Sequence, residues 1–236
     1  MSLHDSLTVF AALAADLQQQ EPDEAVTARA IVGRMRDLVP EAGHVGLVLR
    51  SPRGGLTSLA GTDPLAQELD DLQCDLEQGP AVVVVGDGSW VRSGDVGDDA
   101  RWPEWGAAAV ERGVRSALTL GVHDRDEPLG AITLYAAERG GFADREVVDR
   151  ARLYAVHAAT AFAATRRATT LRAAVDSRHV IGIAQGIAME RFGIDQQQSF
   201  ELLRRLSSTS NTKLRDVATQ VAETREFPHE QVRAGD

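Results

Sequence analysis

The sequence predicts an α+β protein: an N-terminal antiparallel sheet with flanking helices, a long connecting helix, and a C-terminal three-helix module. Three observations carry this. The run "RSALTLGVHDRDEPLGAITLYAA" (115–137) sets two β-rich stretches around the polar turn "HDRDEP", which is a hairpin pattern. The 50 residues 143–192 contain no proline, so they form one long helix or two helices in register. Strands and helices do not alternate along the chain as a parallel sheet would require.

In order, Leu3, Leu7, Phe10, Leu13 and Leu17 recur at helical spacing, which gives a first helix over 3–19. Pro22 is placed to start a second helix over about 23–39. "HVGLVLR" (44–50) and "LTSLAG" (56–61) read as strands around the turn "SPRGG". A short helix follows Asp63-Pro64, "AVVVV" (81–85) is a buried-strand candidate, and "SWVRSGD" (89–95) is a short edge element. A loop then leads into a helix within 98–114. In the hairpin, Gly130 allows a bulge or a close backbone approach. Beyond the long helix, Asp195 is a natural N-cap, with Phe200, Leu202, Leu203 and Leu206 as the buried face. A last amphipathic helix covers 212–224, and 227–236 reads as a tail.

Composition narrows the function. The one cysteine, Cys74, cannot form an internal disulfide or a redox pair. The six histidines show no close metal-ligand spacing, so no metal or other cofactor is expected. No GxSxG, P-loop or dinucleotide fingerprint occurs, and the chain is not expected to be an enzyme. Without a signal-peptide pattern or a membrane-length apolar run, a cytoplasmic location is expected.

The net charge of −10 is unevenly spread. Residues 1–169 hold all of that excess, while residues 166–215 hold nine basic groups and four acidic ones. The N-terminal part should repel nucleic acid, and only the C-terminal part can attract it.

Two stretches resemble known families. Residues 21–165, with Asp98, Arg101, Trp102 and Pro103 followed by "GVRSALTLGV" and "EPLGAITLYA", resemble a GAF domain. That resemblance implies a sensory module with a small-molecule pocket, its ligand unknown. Residues 166–226 resemble an ANTAR domain through Ser177, Arg178, Ile181, Ala184, Gly186, Ile187, Met189, Arg191 and Gly193. Ser199, Phe200, Leu203 and Arg204, then Lys213, Leu214, Val217 and Ala218, continue the pattern. Two positions depart from it: Gln185 stands where the family has lysine, and Ala188 where it has leucine. The resemblance implies a three-helix RNA-binding module, usually dimeric, that acts as a transcription antiterminator by stabilising paired hairpins in nascent mRNA.

The residues assigned to RNA are Arg178, Gln185, Arg191, Arg204, Arg205 and Lys213. Positions 178, 182, 185 and 189 share one helix face. Gly182 and Gly186 are read as helix-packing positions, within the module or across a dimer, and Met189 and Phe200 as core. Trp90, Trp102 and Trp105 are read as a cluster in core or pocket wall, with ligand stacking as the alternative. A homodimer is expected through the first helix and through Tyr154, Ala158, Ala161 and Thr165 of the long one. The alternatives are a DNA-binding regulator and a protein-interaction module that binds no nucleic acid.

Overall fold

The computed structural model describes residues 23–51, 54–87, 90–125 and 127–227. The first-helix expectation, and most of the tail, lie outside them. The chain divides into two compact units between Ala168 and Thr169.

The N-terminal unit is built from α1 (Glu24–Leu38), β1 (His44–Arg50), β2 (Leu56–Gly61), α2 (Pro64–Leu76), α3 (Pro80–Asp87), β3 (Trp90–Ser93), α4 (Pro103–Glu111), β4 (Ser116–Asp124) and β5 (Glu127–Ala136). The helix α5 (Arg145–Phe192) begins in this unit and ends in the next. The sheet order is β2-β1-β5-β4-β3, antiparallel throughout. Only a few residues separate β1 from β2 and β4 from β5 in the sequence, and these neighbours pair directly. Gly130 is a close approach, because a Cβ there would overlap the Val48 carbonyl oxygen of the adjacent strand. The β4–β5 register also slips beside it, between Val122 and His123.

One sheet face buries Leu47, Leu118, Leu120, Ile132 and Leu134 against Ile31 and Met35 of α1 and Tyr154 and Phe162 of α5. The Tyr154 hydroxyl donates to the Ile31 carbonyl (3.2 Å), and the Thr27 and Thr165 hydroxyls meet at 3.2 Å. This packing corrects the dimer stripe. Tyr154, Ala158 and Thr165 are buried inside the unit, while Leu153 and Val156 are the large apolar groups exposed on this part of α5.

The other face is covered by α2, α3 and α4. "AVVVV" lies in α3, not in a strand. A short apolar run fits a buried helix as well as a buried strand, and β-branching alone does not decide between them. Pro80 pre-sets the helical φ, Gln73 accepts the Ala81 amide through Oε1 (2.7 Å), and Ala81, Val84 and Val85 pack on Val48 and Ala131. Beside α3, Asp70 and Tyr135 are fully buried. The Tyr135 hydroxyl donates to Asp70 Oδ1 and accepts from Gln73 Nε2, while Asp70 Oδ2 is without a partner. Burial pushes the Asp70 carboxyl up to about 8.

In the C-terminal unit, the end of α5 packs with α6 (Gln196–Ser210) and α7 (Leu214–Thr224). Asp195 caps α6 in a full capping box with Gln198. Asn211 and Arg225 take left-handed conformations that end α6 and α7. The core is Ala184, Ala188, Leu203, Leu206, Val217, Ala218, Val221 and Phe227. Phe227 is 3% exposed, so it belongs to the module and not to a tail. No helix of the described residues is long and apolar enough to cross a membrane.

The buried carboxyl makes a pH prediction. Below about pH 4 it is protonated whether the chain is folded or not. As pH rises the unfolded chain ionises it while the fold keeps the proton, so stability falls until the folded group ionises near pH 8. The slope is at most about 1.4 kcal/mol per pH unit. In Asp70→Asn that slope is absent, so denaturant unfolding should show the variant gaining on the wild type from pH 4 to 8. Parallel curves would mean that the folded carboxyl is already ionised.

Candidate nucleic-acid interface

The residues expected to meet RNA separate into two groups. Arg178, Arg204, Arg205, Lys213 and the further Arg215 are exposed. None of their charged groups forms an ion pair among the described residues. Arg204 follows Phe200 by one turn on α6, so the two share a flank. Lys213 is the N-cap of α7 and makes no side-chain capping bond. Its charge gains nothing from the positive end of that helix.

Gln185 and Arg191 have structural partners. Gln185 Nε2 donates to the Gln196 carbonyl (3.0 Å) and to Ser199 Oγ (3.3 Å). It therefore ties α5 to the first turn of α6. A neutral amide suits that place, since a cation there would face the positive end of the α6 dipole. Arg191 Nη1 donates to the Arg225 carbonyl (2.8 Å). Its guanidinium lies 5.9 Å from the Phe192 and Phe227 ring centroids, which meet edge to face at 5.0 Å. This clasp holds the chain beyond α7 against the end of α5.

Four packing assignments are corrected within the module. A Cβ on Gly182 or on Gly186 would meet nothing within 4 Å, so neither glycine seats a helix of the module. The small residues that let these helices approach are Ala184 and Ala188, both fully buried. Met189 is 38% and Phe200 40% exposed. On an ideal 3.6-residue period both lie on the flank of their helix, away from the line through Ala184 and Ala188 or Leu203 and Leu206. Phe200 lines a surface depression with Gln185, Asp195, Gln196 and Gln197.

The tryptophan cluster also divides. Trp102 and Trp105 are buried, edge to face at 6.0 Å, and Trp105 Nε1 donates to the Leu69 carbonyl (3.2 Å). Trp90 lies apart on edge strand β3, exposed, with the Arg152 guanidinium 5.4 Å from its ring centroid. The two buried rings are core. Trp90 lines a depression with Leu120, His123, Arg152, Leu153 and Val156.

Sequence reasoning missed the Asp70–Tyr135–Gln73 network, because no local spacing marks three residues that meet only across the fold. Phe227 had a signal: a hydrophobic residue just past a left-handed helix end often packs back on the last turn.

A family model of the GAF domain matches residues 21–163, and one of the ANTAR domain matches residues 169–221. The chain belongs to the GAF domain family and carries a C-terminal ANTAR domain. The GAF fold is shared with the GAF domain of a phosphoenolpyruvate-protein phosphotransferase from Coxiella burnetii, at 17% identity and TM-score 0.54 over 70% of this chain and 96% of that one. It is shared with the free methionine-R-sulfoxide reductase of Neisseria meningitidis, at 17% identity and TM-score 0.54 over 68% and 89%. A bacteriophytochrome from R. palustris aligns at 11% identity and TM-score 0.56, over 86% of this chain and 47% of that one. At these identities the likeness is one of fold. No protein of curated function matches the chain. A GAF domain joined to an ANTAR domain makes the chain a signal-responsive regulator.

The ANTAR model stops at residue 221, yet the core includes Phe227. Phe227→Ala should cost about 3 kcal/mol of the ANTAR unit's stability, read as a lowered denaturation midpoint of the full chain's helical signal. A chain ended after Thr224 should lose at least as much.

Proposed function

We propose that this GAF–ANTAR protein is a transcription antiterminator. Its ANTAR unit binds and stabilises paired hairpins in nascent mRNA, and its GAF unit gates that binding in response to a small-molecule effector. The carrying observation is an ANTAR domain whose arginines 178, 204, 205 and 215 and Lys213 are exposed and outside any ion pair among the described residues. Hairpin RNA offers phosphates for such groups, and its splayed loop bases offer edges and faces. In this reading the protein acts as a cytoplasmic homodimer, and an effector shifts RNA affinity only as far as it binds two arrangements of the chain differently.

Catalysis is no part of the proposal. The related fold of a methionine sulfoxide reductase raises that alternative, but burial, with the carboxylates of Asp70, Asp71 and Asp75, pushes the Cys74 thiol up to about 11. A thiol held protonated is a poor nucleophile.

Competition binding tests the class. A hairpin RNA should displace a duplex DNA of equal length, with affinity falling steeply as salt rises. Arg204→Ala and Arg205→Ala should each flatten the log K against log salt slope, by up to about 0.9 for each phosphate contact removed. Equal binding to RNA and DNA would favour a DNA-binding regulator, and no binding to either a protein-interaction module. A monomer in light scattering at micromolar concentration would remove the dimer.

A further inference from the structure

Phe200 is at odds with its surroundings. The ANTAR core is complete without it, closed by Leu203 and Leu206 from the same helix, yet the ring stands 40% exposed. Gln185, Asp195, Gln196 and Gln197 line one depression with it. The Gln185 amide group is held by its two Nε2 bonds to α6. Its Oε1 accepts nothing among the described residues, and neither carboxamide of Gln196 or Gln197 is bonded there. Arg204 lies one turn along the same flank, exposed and outside any ion pair among the described residues.

We infer that Phe200, with Gln185, Gln196 and Gln197, forms a subsite for one unpaired nucleobase of an RNA loop. An aromatic face stacks on any base. Carboxamides carry a donor and an acceptor each, the groups needed to meet a base edge. Gln185 is fixed in place, so its free acceptor is pre-aimed at an exocyclic amine or ring N–H. Arg204 is placed to meet the adjoining phosphate. A stretch of paired RNA would not use this site, because its base faces are already stacked. A protein partner is the other candidate for an exposed phenyl ring, but the ring is bordered by three glutamines, whose carboxamides each pair a donor with an acceptor as a base edge does, and Arg204 one turn away lies outside any ion pair among the described residues. Asp195 is the carboxylate in the depression, and its Oδ1 is occupied by the Gln198 amide.

The inference rests on the RNA reading above, and the experiment separates the two. Short RNA hairpins with fully randomised loops are selected on the full-length protein. A selected hairpin is then remade with each loop base in turn replaced by an abasic site. One abasic position should weaken wild-type binding about tenfold, and Phe200→Leu should weaken the intact hairpin by a similar factor. The two losses should not add, and Phe200→Trp should restore affinity. Placing 2-aminopurine at that position should give fluorescence quenched by the wild type and not by Phe200→Leu. If hairpins are selected but Phe200→Leu binds as the wild type does, or its loss adds fully to every abasic loss, the subsite is wrong and the RNA reading stands. If no hairpin is selected, both fall. If Phe200→Leu changes only the oligomeric state, the ring is a protein contact and the inference is overturned.

Discussion

Leu118, Leu120, Ile132 and Leu134 point to one side of the central β4–β5 hairpin, and Ala117, Thr119, Ala131 and Tyr135 to the other, and all are buried. A hairpin with no solvent face must be covered twice. The covers are α1 with α5 on one side, and α2, α3 and α4 on the other. This requirement explains why α3 is a helix despite its valines. It also explains why the inward Tyr135 hydroxyl finds a buried partner in the Asp70 carboxyl. The first half of α5 is committed to the sheet. Its second half has no sheet to cover, and there Ala184 and Ala188 are met by α6 and α7.

Where the pattern is local, the sequence was readable. Strands β1 and β2 fall at their expected bounds, because alternation and turn residues lie within a few positions of each other. The same holds for the Asp195 cap and for the long helix, which is one helix and not two. Misreadings came where a residue's partner is remote or its angle on a helix is marginal. "AVVVV" carries no period that separates helix from strand. Phe200 and Met189 are apolar but lie on the flank of their helices, and a rotation of a fraction of a turn decides their exposure. Tyr154 and Leu153 are neighbours on α5 with opposite fates for the same reason.

The candidate site was legible in kind and not in detail. Basic residues cluster in the unit that the ANTAR family model matches, and four of the six assigned to RNA are exposed and outside ion pairs among the described residues. Gln185 and Arg191 were assigned to RNA without the structural bonds that they also make, because a side chain's structural duty cannot be seen until the second helix is in place. Each now has a part in holding the module together, Gln185 at the start of α6 and Arg191 at the end of α7. A surface residue with such a duty can still touch a ligand, and its substitution then changes stability and affinity together.

Gly182 and Gly186 remain without a packing role inside the module. Each costs an exposed helix about 1 kcal/mol relative to alanine, and nothing within reach of a Cβ returns it. The outer face of α5 at these two positions therefore carries no side chain, and glycine's wider backbone freedom makes the helix less stiff there than alanine would. A rod with such a soft spot can bow locally around a curved surface without breaking its capped neighbour, α6. The two glycines thereby give the middle of the ANTAR unit's first helix a compliance that its alanine-lined inner face does not share.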